Sequence, residues 1–500
     1  VSTQTPAQVE LNYGLDDVPK PFPKALGLGL QHVLTAFGAT IAVPLILGPA
    51  MGFDVAQIAI LISSVFIASG LATVVQVMFG TRLPIVQGVS FAFLGPFFAI
   101  IAAHPGEDAM RYIAGAVMAG AIVEMIVGYG GLMGALRRFI TPITIGPVIA
   151  LIGLSLFGAA SGNSSGNWWL ALLTVAFVFV FGLILAPKVK MFSLFPILLA
   201  VVSAYVVALV LTWVGVFDAG TPSAVTFDGI GEADWIRGLV VGEGGILFPW
   251  GTPLFDLGFF VAVIAAYLAS TIESFGDYHA ISRIVGKGDP TQKMINRGIG
   301  AEGVGCFLTG LVGGFASTSY SENIGLVGLT KVASRVVVII GAVSLVVLGL
   351  ASKVGAVIAT VPVPIVGGIY LALFGLIAAV GLSNLQRADM DSQRNLMIVG
   401  FILFMGLVVP NYFGGLPGDW TLLGVDWLTS LARSIGGSGI AVAAILGLIL
   451  DNIIPGTDEE RGVGTYDLGG PPSDQLGMEG MTEGRHPHVD RPTDRPTDRP

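Results

Sequence analysis

The sequence predicts an all-α polytopic membrane protein of about fourteen transmembrane spans, arranged as two inverted repeats of seven. Three observations carry this. Of 500 residues, 54% are hydrophobic and 11% charged, against roughly a quarter charged in soluble domains. Apolar runs of the ~20 residues that a membrane-spanning helix needs recur along the chain. One long acidic connection, 217–254, divides them into two sets.

Residues 1–24 form a polar arm with Asp16, Asp17, Lys20 and Lys24, expected on the cytoplasmic side. The first apolar run is too long for a secretory leader, so none is expected. The first repeat, 25–216, holds runs near 25–48, 56–79, 84–103, 111–133, 139–160, 168–186 and 193–216. The connection carries Asp218, Asp228, Glu232, Asp234 and Glu243 and is placed outside. The second repeat, 255–455, holds runs near 255–284, 298–314, 320–333, 334–352, 357–381, 395–412 and 435–455. The tail, 456–500, ends DRPTDRPTDRP, cannot form a core, and is expected to be disordered and cytoplasmic. Gly (70) and Pro (28) are frequent among Leu, Ile and Val, which fits close helix packing and broken helices rather than disorder.

Basic residues set the orientation. With a cytoplasmic amino terminus, thirteen fall inside: Arg82, Arg137, Arg138, Lys188, Lys190, Arg283, Lys287, Lys293, Arg297, Lys331, Arg335, Arg387 and Arg394. Four fall outside: Arg111, Arg237, Lys353 and Arg433. A one-span error would scramble that bias, so the positive-inside rule places both termini in the cytoplasm. An odd number of spans per repeat makes the second copy enter from the opposite side. PITIGPVIALIGLSL from Pro142 is similar to PVPIVGGIYLALFGL from Pro362, a trace of that repeat.

Two runs are interrupted. LPIVQGVSFAFLGP (Leu83–Pro96) has Pro near each end and Gly88 inside, and FASTSYSENIGLVGLT (Phe315–Thr330) opens with small hydroxyl residues. Each reads as a short extended piece followed by a half-helix. Such backbone is tolerated at membrane depth only where it is buried in protein or lines a cavity, and paired broken segments point to a transport site. The half-helix amino termini offer unpaired N–H groups.

Charges converge there. Glu273 and Asp277, four apart, share a helix face, and Glu322 opens the second half-helix where the dipole favours it. Burial and neighbouring carboxylates disfavour the charged form, so such a group can exchange a proton. Glu302 and Asp451 read as structural or wet at span ends. Glu124, deep in its span, reads first as a helix-to-helix hydrogen-bonding group, although an intramembrane charge raises a functional question. Gln31 and His32 stand open between packing and site lining, and Phe91 and Phe93 alone would be core or lipid-facing. Cys306 is the single cysteine, so no disulfide framework or cysteine metal site is possible within the chain. No hydrolase triad, metal-spaced His cluster or phosphate loop is present, so an enzyme is not expected, nor a cofactor, a bound metal or a nucleic-acid partner.

IESFGDYHAISR (Ile272–Arg283), MINRGIGAEGVGC (Met294–Cys306), STSYSENIGLVGLTKVASR (Ser317–Arg335) and QHVLTAFGATIAVPLIL (Gln31–Leu47) resemble the nucleobase-ascorbate transporter family, the xanthine/uracil permeases, from about Lys24 to Ile454. The resemblance implies a core domain (spans 1–4 and 8–11) and a gate domain (spans 5–7 and 12–14), a homodimer in the plasma membrane, and a nucleobase carried with a proton. It places substrate contacts on Glu273, Glu322, Phe91, Ser90, Asn323 and Gly325, and cation coupling on Glu273, Asp277 and His32. Carboxylates accept N–H bonds from a flat neutral base, half-helix N–H groups meet its carbonyls, and an aromatic face stacks on it. Glu322 matches the uracil permeases, whereas Asp277 and LVGLTKVASR resemble the purine and ascorbate branches. Uracil ranks first, xanthine or another purine second, an ascorbate-type anion third. Sodium coupling, and an anion exchanger of the same architecture, are the alternatives.

Overall fold

A computed structural model describes residues 10–463, save 135–138, 140, 228–229, 232–233, 239, 243 and 418 and the side chains at 426–427. Arg137, Arg138, Asp228, Glu232, Glu243 and the tail from 464 onward lie outside the described residues. Most of the described residues are helical. In order come α1 (Phe22–Met51), α2 (Val55–Met78), strand β1 (Gln87–Val89), α3 (Leu94–Ala103) and α4 (Glu107–Tyr129). Then follow α5 (Pro142–Leu154), α6 (Phe157–Ser165), α7 (Trp168–Phe179), α8 (Lys190–Leu194) and α9 (Pro196–Trp213). After the long connection come α10 (Leu257–Ile284), α11 (Gln292–Leu311), strand β2 (Ser317–Ser319), α12 (Ser321–Thr330), α13 (Arg335–Leu350) and α14 (Ser352–Ala359). The last described elements are α15 (Val363–Asn384), α16 (Gln393–Gly414), α17 (Asp426–Gly436), α18 (Gly439–Ile453) and α19 (Asp458–Arg461).

Among the described residues nine helices are long and apolar enough to cross a membrane, or up to eleven if two bent pairs each count as one span. The bends are 79° between α13 and α14 and 92° between α17 and α18. This is a multi-pass membrane protein. Large apolar side chains stay exposed, among them Val206 and Val210 on α9 and Met397 and Phe404 on α16, and a bilayer suits such a surface.

The helices pack into sets of neighbours that α10 joins, since it also packs on α17 and α18. In one, α4 runs along α11, α2 contacts α1, α11, α13 and α14, and α10 meets α4; in another, α15 packs on α5, α6 and α7, and α16 and α18 pack on α5. Small residues set the spacing. A Cβ on Gly381 would sit 2.1 Å from the Ala150 nitrogen, and one on Gly128 2.2 Å from the Gly300 nitrogen, so at both crossings backbone touches backbone.

Buried charges at the ends are paired. Asp451, fully buried, accepts from Arg394 and Arg461 at 3.0 Å each and from the Thr141 hydroxyl at 2.7 Å. Residues 456–463, whose polar composition groups them with a disordered tail, are therefore folded: α19 brings Arg461 onto Asp451, and Asn395 donates to the Glu460 carbonyl. The described part of the polar arm is also held. Asn12 N donates to Lys331 O at 2.8 Å, Ala333 N to Tyr13 O at 2.8 Å and Arg335 N to Leu15 O at 3.0 Å, while Arg335 pairs with Asp16. In the long connection between α9 and α10 Arg237 is buried and donates to Ser64 Oγ (2.9 Å) and the Gly245 carbonyl (2.6 Å). Burial brings its pKa down to about 10, still a cation at neutral pH.

Gly381→Val is expected to lower the thermal unfolding temperature in detergent, since overpacking a tight core costs about 1–3 kcal/mol. Gly375→Ala on the same helix, where an added Cβ meets nothing within 4 Å, should leave it unchanged or raise it slightly.

Candidate functional site

The site is built where the two interrupted spans cross. β1 and β2 pair antiparallel, Gln87 opposite Ser319, Gly88 opposite Thr318 and Val89 opposite Ser317. Ser90 N donates to Ala316 O and Tyr320 N to Val86 O, both at 3.0 Å, extending the ladder past each end. Away from water these backbone groups must find one another, and the two spans thereby fix each other's position. Gly88 is needed at the crossing, because a Cβ there would lie 2.3 Å from the Tyr320 ring.

From the crossing, α3 and α12 run off as half-helices. Glu322 lies in the first turn of α12 and its side chain is exposed. Glu273, on α10, is exposed too and lies within electrostatic reach of Glu322 and Asp277. Asp277 is buried and held at both oxygens: Ser319 Oγ donates to Oδ2 and Ser321 Oγ to Oδ1, each at 2.7 Å. Thus Glu273 and Asp277 share one helix face but differ in role, the first open and the second tied to β2 and α12.

Exposure along α10 shows which way the site opens. Glu273, Gly276 and Ala280 are exposed, whereas Ala262, Ala266, Ala269 and Ser270 are buried. The opening therefore runs toward the carboxyl end of α10. A separate cleft of about 760 Å³ lies at the other end of that helix, with Asp256, Phe259, His104, Trp420 and Ser434 in its lining.

Phe91, half-buried, meets Phe374 of α15 edge-on at 6.3 Å, and Phe374 stacks on Tyr370 at 5.2 Å. Phe93 is core, packed on Phe97 and Tyr267. The Ser90 hydroxyl accepts from Ala92 N at 3.3 Å, a local cap. Gly325 has open space where a Cβ would stand. Asn323 and His32 are both buried: the Asn323 amide donates to the His32 carbonyl at 2.9 Å and lies 3.2 Å from its ring Nδ1. That pair ties α12 to α1 and is closed off from the opening.

Beneath Asp277 runs a polar chain that residue spacing alone does not assemble. Ser319 Oγ contacts Ser274 Oγ (3.0 Å), Ser274 donates to Glu302 Oε1 (2.7 Å), Tyr278 donates to Glu302 Oε2 (2.8 Å), and Gln76 Nε2 donates to Tyr278 (2.5 Å). Glu302 is thus not at a wet span end: it is 1% exposed and solvated by hydroxyls. Ser270, Ser274 and Tyr278, four apart on one face of α10, are the sequence signal that points to such a chain. The side-chain amide of Gln87 and the Asn323 Oδ1 are buried without a hydrogen-bond partner. No group of three or more potential metal ligands occurs among the described residues.

Comparison with known proteins identifies the family. Residues 23–415 match the family model Xan_ur_permease, described as a permease family. Human solute carrier family 23 member 2 is 36% identical over 93% of this chain and 78% of its own, and rat solute carrier family 23 member 1 is 37% identical over 91% and 82%. Nucleobase-ascorbate transporter 1 of Arabidopsis thaliana is 34% identical over 89% of each chain. Among solved structures, the transmembrane domain of a cyanobacterial bicarbonate transporter matches with TM-score 0.52 at 15% identity, over 79% of this chain and 97% of that one. The murine solute carrier 26 family member A9 anion transporter, inward-facing, matches with TM-score 0.56 at 10% identity, over 88% and 69%. At these identities the two structures speak for the fold alone.

Asn323→Ala is expected to destabilise the protein by about 1–3 kcal/mol, the range for stranding a buried hydrogen-bonding group, read as a lower unfolding temperature. Gly325→Ala should fold as the parent does.

Proposed function

Because the chain belongs to the xanthine/uracil permease family, a family of transporters and not of enzymes, we propose that it imports a nucleobase, uracil first, together with protons. Secondary transport of a small polar solute follows from the family; the base and the ion are the proposal. The observation that carries it is the pair of exposed carboxylates, Glu273 and Glu322, at the opening beside a crossing of two broken spans.

The chemistry suits a flat neutral ring. Its N–H groups donate to Glu273 and Glu322, its carbonyls approach the amino end of α12, and Phe91 offers a face or edge. A neutral base gains nothing from the membrane potential, so accumulation needs a coupled cation. Asp277 is the coupling candidate: it sits four residues from Glu273 and is joined by Ser319 and Ser321 to β2 and α12, so a change in its charge acts on the elements that present Glu322.

Alternating access is the mechanism we assign. We assign α1–α4 and α10–α14 to the core and α5–α9 and α15–α18 to the gate; the contact of Phe91 with Phe374 and the packing of α10 on α17 and α18 then lie between the two. The site opens on the side of the basic-rich connections, so the conformation is inward-facing under the positive-inside rule. The cleft lined by Trp420 and Phe259 would then be the closed outer approach. An ascorbate-type anion is the second reading, since the plant relative's name pairs nucleobase with ascorbate, but an ionised Glu322 would repel it.

In liposomes, an inward proton gradient is expected to drive uptake of radiolabelled uracil above xanthine and ascorbate, and Glu322→Gln to abolish it. Uptake of ascorbate driven by sodium would replace the proposal with the second reading.

A further inference from the structure

Glu124 has no part in the site described above, yet its environment is unusual. It lies in the middle of α4, 4% exposed, and neither carboxylate oxygen has a hydrogen-bond partner. The surrounding helices leave little room. A Cβ on Gly303 of α11 would lie 2.8 Å from the Met125 nitrogen and 2.9 Å from the Ala121 carbonyl oxygen, so α4 and α11 are in backbone contact on both sides of Glu124.

The groups that face it can be named element by element. From α11 come Glu302 and Cys306; from α10 come Tyr267, Tyr278 and Thr271. The Tyr267 hydroxyl is committed to the Val117 carbonyl (2.8 Å), the Cys306 thiol to the Ser317 carbonyl (3.3 Å), and Tyr278 to Glu302. Thr271 lies beside Glu124 without reaching hydrogen-bond geometry. None of these groups is a cation.

The two glutamates are therefore an asymmetric pair. Glu302 receives hydroxyl donors from Ser274 and Tyr278, and a longer one from Ser270 at 3.4 Å, the surroundings of an ionised carboxylate. Glu124 receives none, and a buried charge with no donor beside a like charge is the arrangement proteins avoid. A protonated carboxyl is neutral and is itself a donor, and Glu302 is the acceptor at hand. Pairs of carboxyls whose environments differ in this way divide acid and base roles between them.

We propose that Glu124 is a second, buried proton-holding group, exchanging its proton with Glu302. In the exchange the O–H bond on Glu124 breaks as a Glu302 oxygen takes the proton, so the charge moves from one helix to the other and no further reactant is needed. Through Ser274 and Ser319, Glu302 connects to Asp277, and a charge on Glu302 is felt at the transport site. The role in transport rests on the proton-coupled reading above; the occupancy of Glu124 by a proton rests on its packing.

The test is infrared spectroscopy of the purified full chain, with Glu124→Gln and Glu124→Asp. The unmodified protein should show a carboxylic-acid band at neutral pH that is lost in Glu124→Gln and displaced, not lost, in Glu124→Asp; an acid region identical in all three would overturn the proposal. If Glu124→Gln does not fold, displacement of the band in Glu124→Asp decides in the same way. In liposomes, the protons moved per substrate, from a pH dye and radiolabel together, should fall in Glu124→Gln while uptake persists. An unchanged ratio would overturn the exchange. Proton-independent uptake by the unmodified protein would overturn the coupling role and the proposed function with it, while the infrared band would still decide whether Glu124 holds a proton.

Discussion

Two short strands inside a membrane protein impose the constraint on which the rest depends. Extended backbone at that depth has no water to bond with, so β1 and β2 must satisfy each other. Their pairing from Gln87–Ser319 to Val89–Ser317, with Ser90 and Tyr320 extending it, brings together chain segments from opposite halves of the sequence. It also leaves two half-helices starting beside one another. Everything chemical in the site follows from that: Glu322 has its place because α12 must begin there, and Ser319 and Ser321 can hold Asp277 because β2 ends beside α10.

The polar interior is organised by how each carboxylate is solvated. Glu273 and Glu322 face an opening, Asp277 is held by two hydroxyls, Glu302 is surrounded by hydroxyls, and Glu124 has no donor. This gradation runs from the opening into the helix packing. Asp451 is the contrast, for two arginines and a threonine hydroxyl compensate it, and it serves to hold the carboxyl-terminal segment in place.

Much of this is legible in the residues themselves. Pro84, Pro96 and Gly88 in one run, and the hydroxyl-rich ASTSYS in another, are incompatible with ordinary spanning helices, and both runs form a strand followed by a half-helix. Glu273 and Glu322 stand out because charges are costly at membrane depth. Sequence spacing misses partners from distant segments. His32 and Asn323 are 291 residues apart, so their union cannot be read from either motif. Glu302 follows closely on Lys293 and Arg297 and so reads as wet; only the packing of α11 against α4 and α10 encloses it. The folding of 456–463 depends on Arg461 reaching the Asp451 carboxylate across a helix end, which the polar composition of the tail conceals.

The central claim is that the crossing of the two broken spans is where substrate binds. A structure determined with a nucleobase bound tests it most directly. The account predicts the ring beside Phe91, with its N–H groups toward Glu273 and Glu322 and its carbonyl toward the first turn of α12. A base found instead only in the separate cleft beside Trp420 and Phe259, with the crossing unchanged, would contradict it.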